Sequence, residues 1–117
     1  MIIITGTVDI DPDRRDEALG AAEPHMRATR TLEGCLDYVW SGDPLVPGRI
    51  YVYERWQSRE NLENHFASPH YPAMRDTISS FGLRGLDVSK HRITLSEPVY
   101  DPTGQPRADF FTDEGQG

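Results

Sequence analysis

The sequence has one cysteine and no long apolar run. Cys35 cannot form an internal disulfide, and no zinc-type ligand pair accompanies it. We interpret it as a small buried apolar side chain rather than a nucleophile. The apolar run Ile2 to Ile4 is too short to span a membrane, and no signal-peptide pattern surrounds it. These absences favour a cytoplasmic protein.

Positive charge is also scarce. Twelve Lys and Arg residues stand against nineteen Asp and Glu residues, which gives a formal net charge of −7. Because no basic cluster interrupts this charge, the surface would repel phosphate backbones and anionic lipids, and we expect neither nucleic acid nor a membrane as a partner. Apolar residues make up only 37% of the chain, and so lean a core favours an oligomer that completes it.

The usual cofactor and metal signatures are missing. There is no GxGxxG, no P-loop and no GxSxG, so nucleotide, flavin and serine-hydrolase chemistry lack their motifs. Three early aspartates resemble a calcium loop, but the positions that need glycine and glutamate hold Arg14 and Gly20. His65 and His70 are five residues apart across a proline and do not share a helical face as zinc-binding histidines do. We predict no metal site and no cofactor.

Periodicity predicts alternating strands and helices. Apolar residues at every second position from Ile2 onwards indicate a first strand, and Asp11-Pro12 is typical of a helix start. The apolar stripe of that helix resumes beyond Pro24, which should bend it without ending it. The predicted elements are strands near 2–10, 35–40, 50–56 and 86–95, and helices from 12 to about 33, after 58, and from about 70 to 80.

The order βαββαβ predicts an α+β, ferredoxin-like domain. Its four-stranded antiparallel sheet would carry the helices on one face. The hairpin strands hold aromatic and branched side chains on both alternating sets, including Tyr51 and Tyr53 opposite Val52, and a strand that is apolar on both sides is buried on both sides. We therefore expect a homodimer, with a domain over 1–96 and a proline- and glycine-rich tail over 97–117 that is flexible or lies over the partner subunit.

Several segments resemble the antibiotic biosynthesis monooxygenase superfamily, particularly its small quinol-monooxygenase-like members. They are Glu33-Gly34-Cys35-Leu36-Asp37-Tyr38, Asp43-Pro44 to Pro47-Gly48-Arg49, Tyr53-Glu54-Arg55-Trp56 and His65-Phe66-Ala67-Ser68-Pro69-His70-Tyr71. The resemblance implies a dimeric α+β barrel with a pocket between sheet and helices in each subunit. It also implies a cofactor-independent monooxygenase that uses O₂ on a phenolic, quinol or polycyclic aromatic compound.

Two other functions stay open on the same fold: a non-catalytic small-molecule-binding or accessory dimer, and an isomerase-like enzyme. The heme-degrading branch is disfavoured, because the positions of its strand Asn, helix Trp and heme-ligating His hold Thr7, His65 and Arg75 here.

The resemblance places His65 at the family's motif histidine, three residues after Leu62 on the inward helix face. A neutral imidazole there could take a phenolic proton, and the alternative is a satisfied core histidine. If it is the base, its unperturbed pKa predicts activity that rises through about pH 6 to 7. The remaining candidates are substrate-binding, each with a packing or solvent-facing alternative: Trp56, Glu54, Asn61, His70, Tyr71 and Arg75.

Overall fold

The computed structural model describes residues 1–112 as one antiparallel sheet with helices on one face. The strand order is β2-β3-β1-β4, every neighbouring pair is antiparallel, and the α+β ferredoxin-like prediction is confirmed. The elements are β1 Ile2–Asp9, α1 Arg15–Arg30, β2 Cys35–Gly42, β3 Arg49–Trp56, α2 Arg59–Ala67, α3 His70–Ser79 and β4 Gly85–Arg92.

The core lies between the sheet and the helices. Along β3 the residues Ile50, Val52 and Trp56 are buried at every second position, as the period of a strand requires. Helix α1 packs on β2 and α3 and contributes Ala18 and Ala22, both fully buried, to the same core. Small side chains at this contact let the helix lie close to the sheet, which leaves the larger apolar residues of α3 to pack beside it.

Two boundaries differ from the sequence-based expectation. A single 3₁₀ turn occupies Pro12–Arg14, and α1 itself begins at Arg15 and runs through Pro24. The last strand ends at Arg92 rather than at Leu95. The register explains this, because Arg92 pairs with Ile2 at the very start of β1 and the chain beyond it has no strand left to pair with.

A bulge in β2 decides which side chains face the helices. The register with β3 shifts between Cys35 and Asp37, after which Tyr38 lies opposite Glu54. Trp40 follows two residues later on the same face. Both aromatic side chains are thereby directed towards the helical layer.

The other face of the sheet carries no helix among the described residues. Val39, Tyr51 and Tyr53 lie on it and are 37%, 48% and 39% exposed. Arg55 Nε and Asp37 Oδ2 form an ion pair at 2.8 Å on the same face, so these two opposite charges neutralise each other.

The segment after β4 holds itself together by hydrogen bonds of its own. The Glu97 carboxylate accepts hydrogen bonds from the backbone N–H groups of Phe111 and Thr112. Val99 and Tyr100 are 61% and 62% exposed. The last five residues of the predicted tail, 113–117, lie outside the described residues. Within residues 1–112, no helix has the combination of length and apolarity that crossing a membrane requires.

Two glycines should respond oppositely to alanine. A Cβ at Gly6 would lie 2.2 Å from the backbone oxygen of Asp87 on β4, whereas one at Gly20 would meet nothing within 4 Å. We expect Gly6→Ala to lower the free energy of unfolding by about 1–3 kcal/mol, because the two strands must separate. Gly20→Ala lies on the exposed side of α1 and should raise it by about 0.5–1 kcal/mol through reduced backbone entropy. Urea unfolding of both variants checks the pair, and equal effects would contradict the close approach of β1 and β4.

Candidate functional site

A cavity of about 500 Å³ lies between the sheet and helices α2 and α3. Its walls are mainly apolar, with side chains from all four strands and from both helices. The apolar lining is interrupted by the polar groups of Tyr38, Trp40, Glu54 and His65. Two cationic side chains, Arg75 and Lys90, lie nearer the solvent. The lining residues include Ile4, Val8, Tyr38, Trp40, Val52, Glu54, His65, Phe66, Tyr71, Met74, Arg75, Ile78, Leu86, Val88 and Lys90.

His65 is enclosed by aromatic rings. Its own ring is 1% exposed and stacks on Trp56 with centroids 4.7 Å apart at 23°. Tyr38 and Tyr71 present their edges at 5.7 Å and 5.8 Å. Burial, reinforced by repulsion from His70, lowers the pKa of His65 to about 4. The imidazole is therefore neutral at pH 7, and its buried Nδ1 has no hydrogen-bond partner among the described residues.

Trp56 joins the histidine to a buried carboxyl group. One face of the indole stacks on His65, and its Nε1 donates a hydrogen bond to Glu54 Oε1 at 3.0 Å. Trp56 is fully buried at the end of β3 and lies behind the cavity rather than on its wall. A single side chain thus holds both polar groups in place.

Glu54 is an unusual carboxyl group for a strand. It is 6% exposed and lies between Val52 and Trp56 on the helix-facing side of β3. Burial raises its pKa to about 7, and the hydrogen bond from Trp56 opposes that rise. The group can therefore exist protonated or ionised near neutral pH, which is the property that general acid–base chemistry needs.

Two further wall residues, Tyr38 and Trp40, were not among the candidates that the sequence predicted. Burial raises the pKa of the Tyr38 phenol well above its usual range, so this hydroxyl stays neutral. Trp40 Nε1 is buried close enough to the Tyr38 hydroxyl to oppose that rise in pKa, but it makes no hydrogen bond of full geometry within residues 1–112. Such an unsatisfied donor is costly in an apolar wall unless a ligand or water accepts from it. The available signal was their spacing, which puts both on the face of Glu54.

The structure brings four of the seven predicted site residues to this cavity. His65, Glu54, Tyr71 and Arg75 line it, whereas the other three do not. Trp56 supports the wall from behind. The Asn61 backbone and side chain both bond Ser58 at the start of α2, a capping role. His70 begins α3, and its charge reaches His65 only through space.

Residues 1–112 contain no group of three or more His, Cys, Asp or Glu side chains arranged to hold a metal ion. Cys35 lies at the start of β2, half-buried. Burial, helped by the negative charge of Glu54, raises the pKa of its thiol to about 11. The neutral thiol agrees with the interpretation of Cys35 as a packing residue.

Comparison with known proteins identifies relatives over most of the chain. The family model described as Antibiotic biosynthesis monooxygenase matches residues 1–77. The protein named Putative monooxygenase Rv0793 of Mycobacterium tuberculosis is 30% identical over 80 residues, which cover 67% of this chain and 76% of that protein. The uncharacterized protein sll1783 of Synechocystis is 24% identical over 98 residues, covering 84% of this chain and 67% of that protein.

Solved structures share the fold. A crystal structure titled as a putative antibiotic biosynthesis monooxygenase from Deinococcus radiodurans matches with a TM-score of 0.77 at 22% identity, covering 86% of this chain and 100% of that one. Rv0793 from Mycobacterium tuberculosis matches with a TM-score of 0.69 at 25% identity, covering 82% and 96%. Because the family model spans more than half of the sequence, this chain belongs to the antibiotic biosynthesis monooxygenase family.

Proposed function

We propose that this protein is a cofactor-independent monooxygenase that uses O₂ on a phenolic, quinol or polycyclic aromatic compound. The observation that carries the proposal is the apolar, aromatic-walled cavity with two proton acceptors, Glu54 and His65, held by one indole. Membership of a monooxygenase family supports oxygen chemistry. The cavity supports an aromatic substrate, because apolar walls with a few placed polar groups suit such a ligand.

The reaction needs no external reductant. A phenol with a free ring position can be oxidised to a quinone while one oxygen atom of O₂ becomes the new carbonyl oxygen. The other oxygen atom leaves as water with the hydroxyl hydrogen and the ring hydrogen. The substrate loses four electrons and O₂ gains four, so atoms and electrons balance. The protein has only to bind the phenol, accept a proton and hold the electron-rich anion away from water.

Glu54 and His65 take different roles because burial raises the pKa of Glu54 to about 7 and lowers that of His65 to about 4. The neutral ring of His65, whose Nδ1 has no partner among the described residues, accepts the phenolic proton, and the ionised carboxylate of Glu54, the stronger base of the two, receives it afterwards. Trp40 Nε1, beside the Tyr38 hydroxyl, is a buried donor on the same wall and can stabilise the substrate anion. Glu54 can take part in this proton transfer only when its carboxyl group is ionised. The pKa of His65, about 4, keeps the histidine neutral throughout the neutral range, so the rise in activity through pH 6 to 7 that the sequence predicted from an unperturbed His65 was wrong in its assignment to this residue.

The same acid–base pair also suits an isomerase, the second function left open by the sequence. Glu54 and His65 could move a proton between two carbon or oxygen atoms of a bound aromatic without consuming O₂. Turnover under strictly anaerobic conditions distinguishes the two, because only the isomerase would continue.

We further propose that the functional unit is a homodimer of a domain over 1–96, with the tail from Glu97 lying over the partner. The open sheet face presents Val39, Tyr51 and Tyr53, and association with a second copy would remove that apolar area from water. The radius of gyration is 16.7 Å, against roughly 13 Å for a compact chain of this length. The excess agrees with a terminal segment that extends from the domain, and its exposed Val99 and Tyr100 suit a neighbouring surface.

Replacement of His65 should separate chemistry from packing. His65→Ala and His65→Gln should each lower kcat by about 10²-fold or more, since neither side chain can accept the proton. O₂ uptake with a panel of naphthols and hydroquinones measures this, and circular dichroism verifies the fold.

In the wild type, activity should rise with pH through about 7, where Glu54 ionises. Glu54→Gln should remove that limb. Near-normal turnover of His65→Gln, or no O₂ uptake with any phenol, would contradict the proposal.

Burial of Glu54 should make stability depend on pH. Its folded pKa of about 7 lies above the ordinary 4.5, so its favourable contribution is complete below pH 4.5 and disappears as pH rises through 7. At pH 8 the ionised group costs about 3 kcal/mol. Glu54→Gln keeps an acceptor for Trp56 and should therefore raise the melting temperature at pH 8 by clearly more than at pH 5. The exposed Glu33→Gln is the control, and a pH-independent effect of Glu54→Gln would show that the carboxyl is not desolvated.

Substitutions on and away from the open sheet face test whether that face forms the dimer interface. Light scattering after gel filtration should give twice the chain mass for the wild type at micromolar concentration. Tyr53→Lys should give the single chain mass, because burying an unpaired ammonium between two sheets is costly. Leu45→Lys lies in the exposed β2–β3 loop, where Leu45 is 87% exposed, and should remain dimeric. A monomeric wild type, or a dimeric Tyr53→Lys, would refute the sheet face as the interface.

A further inference from the structure

A row of four side chains crosses the floor of the cavity and ends in a lysine. Tyr38 is paired with Glu54, Glu54 with Ile4, and Ile4 with Lys90 on the edge strand β4. Directly paired residues share a face of the sheet, and all four line the cavity. Glu54 and Lys90 are two strand spacings apart, about 10 Å. Glu54, the second residue of the row, can hold a proton near neutral pH, and Lys90 at the end of the row carries an ammonium group.

Lys90 is the only lysine among the 117 residues. Within residues 1–112 no carboxylate lies within ion-pair distance of it, although the chain has seven more acidic than basic side chains. Glu54 is not its counter-ion, because Ile4 lies between them and the carboxyl accepts its hydrogen bond from Trp56. A lysine on an edge strand can also discourage strand pairing. Protection of the sheet edge would not explain why Lys90 lines a cavity or why a second cation lines the same cavity.

The second cation is Arg75, which lines the same cavity from α3. Its Nε bonds the neighbouring Asp76 at 3.2 Å, and its guanidinium lies 5.6 Å from the ring centroid of Tyr71, another wall residue. No described residue bonds its two terminal amino groups. Among residues 1–112, Glu54 is the only carboxyl-bearing residue of the lining, and it is partly protonated at neutral pH. The lining is therefore cationic in a chain whose net charge is −7.

We infer that the cavity recognises an aromatic ligand that carries a carboxylate, with Lys90 and Arg75 binding the carboxylate while the phenolic end lies against Glu54 and His65. This deepens the proposed function, on which it rests for the orientation of the phenol. A bidentate guanidinium and a mobile ammonium together suit a planar carboxylate. The distance of about 10 Å between Glu54 and Lys90 suits an aromatic acid of about two fused rings.

A matched pair of probes tests the inference. 6-Hydroxy-2-naphthoate and its methyl ester differ only in the anionic charge, and their fluorescence permits titration of the intact protein. We expect the acid to bind about tenfold or more tightly than the ester at low salt, since a charge-assisted pair is lost with the ester. Lys90→Gln and Arg75→Gln should each weaken the acid about three- to tenfold and leave the ester unchanged. Arg27→Gln, whose partner Glu23 is on the exposed side of α1, should change neither.

Covalent labelling gives a second readout. Lys90 and the amino terminus are the only primary amines, so an amine-reactive reagent should modify both, and the acid should slow modification of Lys90 alone. Equal affinities for acid and ester, or an unchanged acid affinity in Lys90→Gln, would overturn the carboxylate site and leave the aromatic cavity intact. Lysine-dependent binding of the acid without O₂ uptake would support the site and refute the oxygenase. Binding of neither probe would overturn both.

Discussion

The arrangement of the cavity depends on the contacts of Trp56. Its ring face packs against His65 and its N–H bonds Glu54, so the histidine and the carboxyl are oriented by one rigid side chain at the end of the central strand β3. The indole also contributes to the dry surroundings that shift both pKa values. If it were smaller, the two groups would lose their common support, and water could reach them. The positioning of the polar groups and their protonation states therefore have the same structural origin.

This arrangement requires polar side chains in the core. Thr29, Glu54 and His65 are buried, and the Thr29 hydroxyl and His65 Nδ1 lack partners among the described residues. A domain this small gains only a modest margin from apolar burial, and unsatisfied buried groups reduce it further. His65, unlike Thr29, lines the cavity, so a ligand bound there can supply the missing partner of its Nδ1. The stability of the free protein is then lower than that of the complex.

Much of the fold follows from local rules that the sequence displays. The three- and four-residue spacing in α1 fixes which of its side chains are buried, and Ala18 and Ala22 confirm this prediction. For β3 the sequence predicted burial on both faces, and within one chain only the face of Val52 is buried, whereas Tyr51 and Tyr53 remain 48% and 39% exposed. The end of β4 could not be predicted in this way. It is set by where β1 begins, and a strand's partner is a tertiary property.

The candidate site was only partly predictable for the same reason. The helical position of His65 was correctly placed inward, because spacing from Leu62 determines it. The role of Trp56 behind the wall, and the capping role of Asn61, depend on which surface lies opposite each residue. The raised pKa of Glu54 depends on burial by elements remote in sequence, so alternation could indicate its face but not its charge.

The state of Cys35 has a consequence for how copies of the chain can be joined. Thiol–disulfide exchange begins with a thiolate, and a pKa of about 11 leaves almost none at neutral pH. Cross-linking of two chains through sulfur is therefore slow even in air. Reducing agents should have little bearing on how many copies associate, and any lasting association has to come from the fit of non-covalent surfaces.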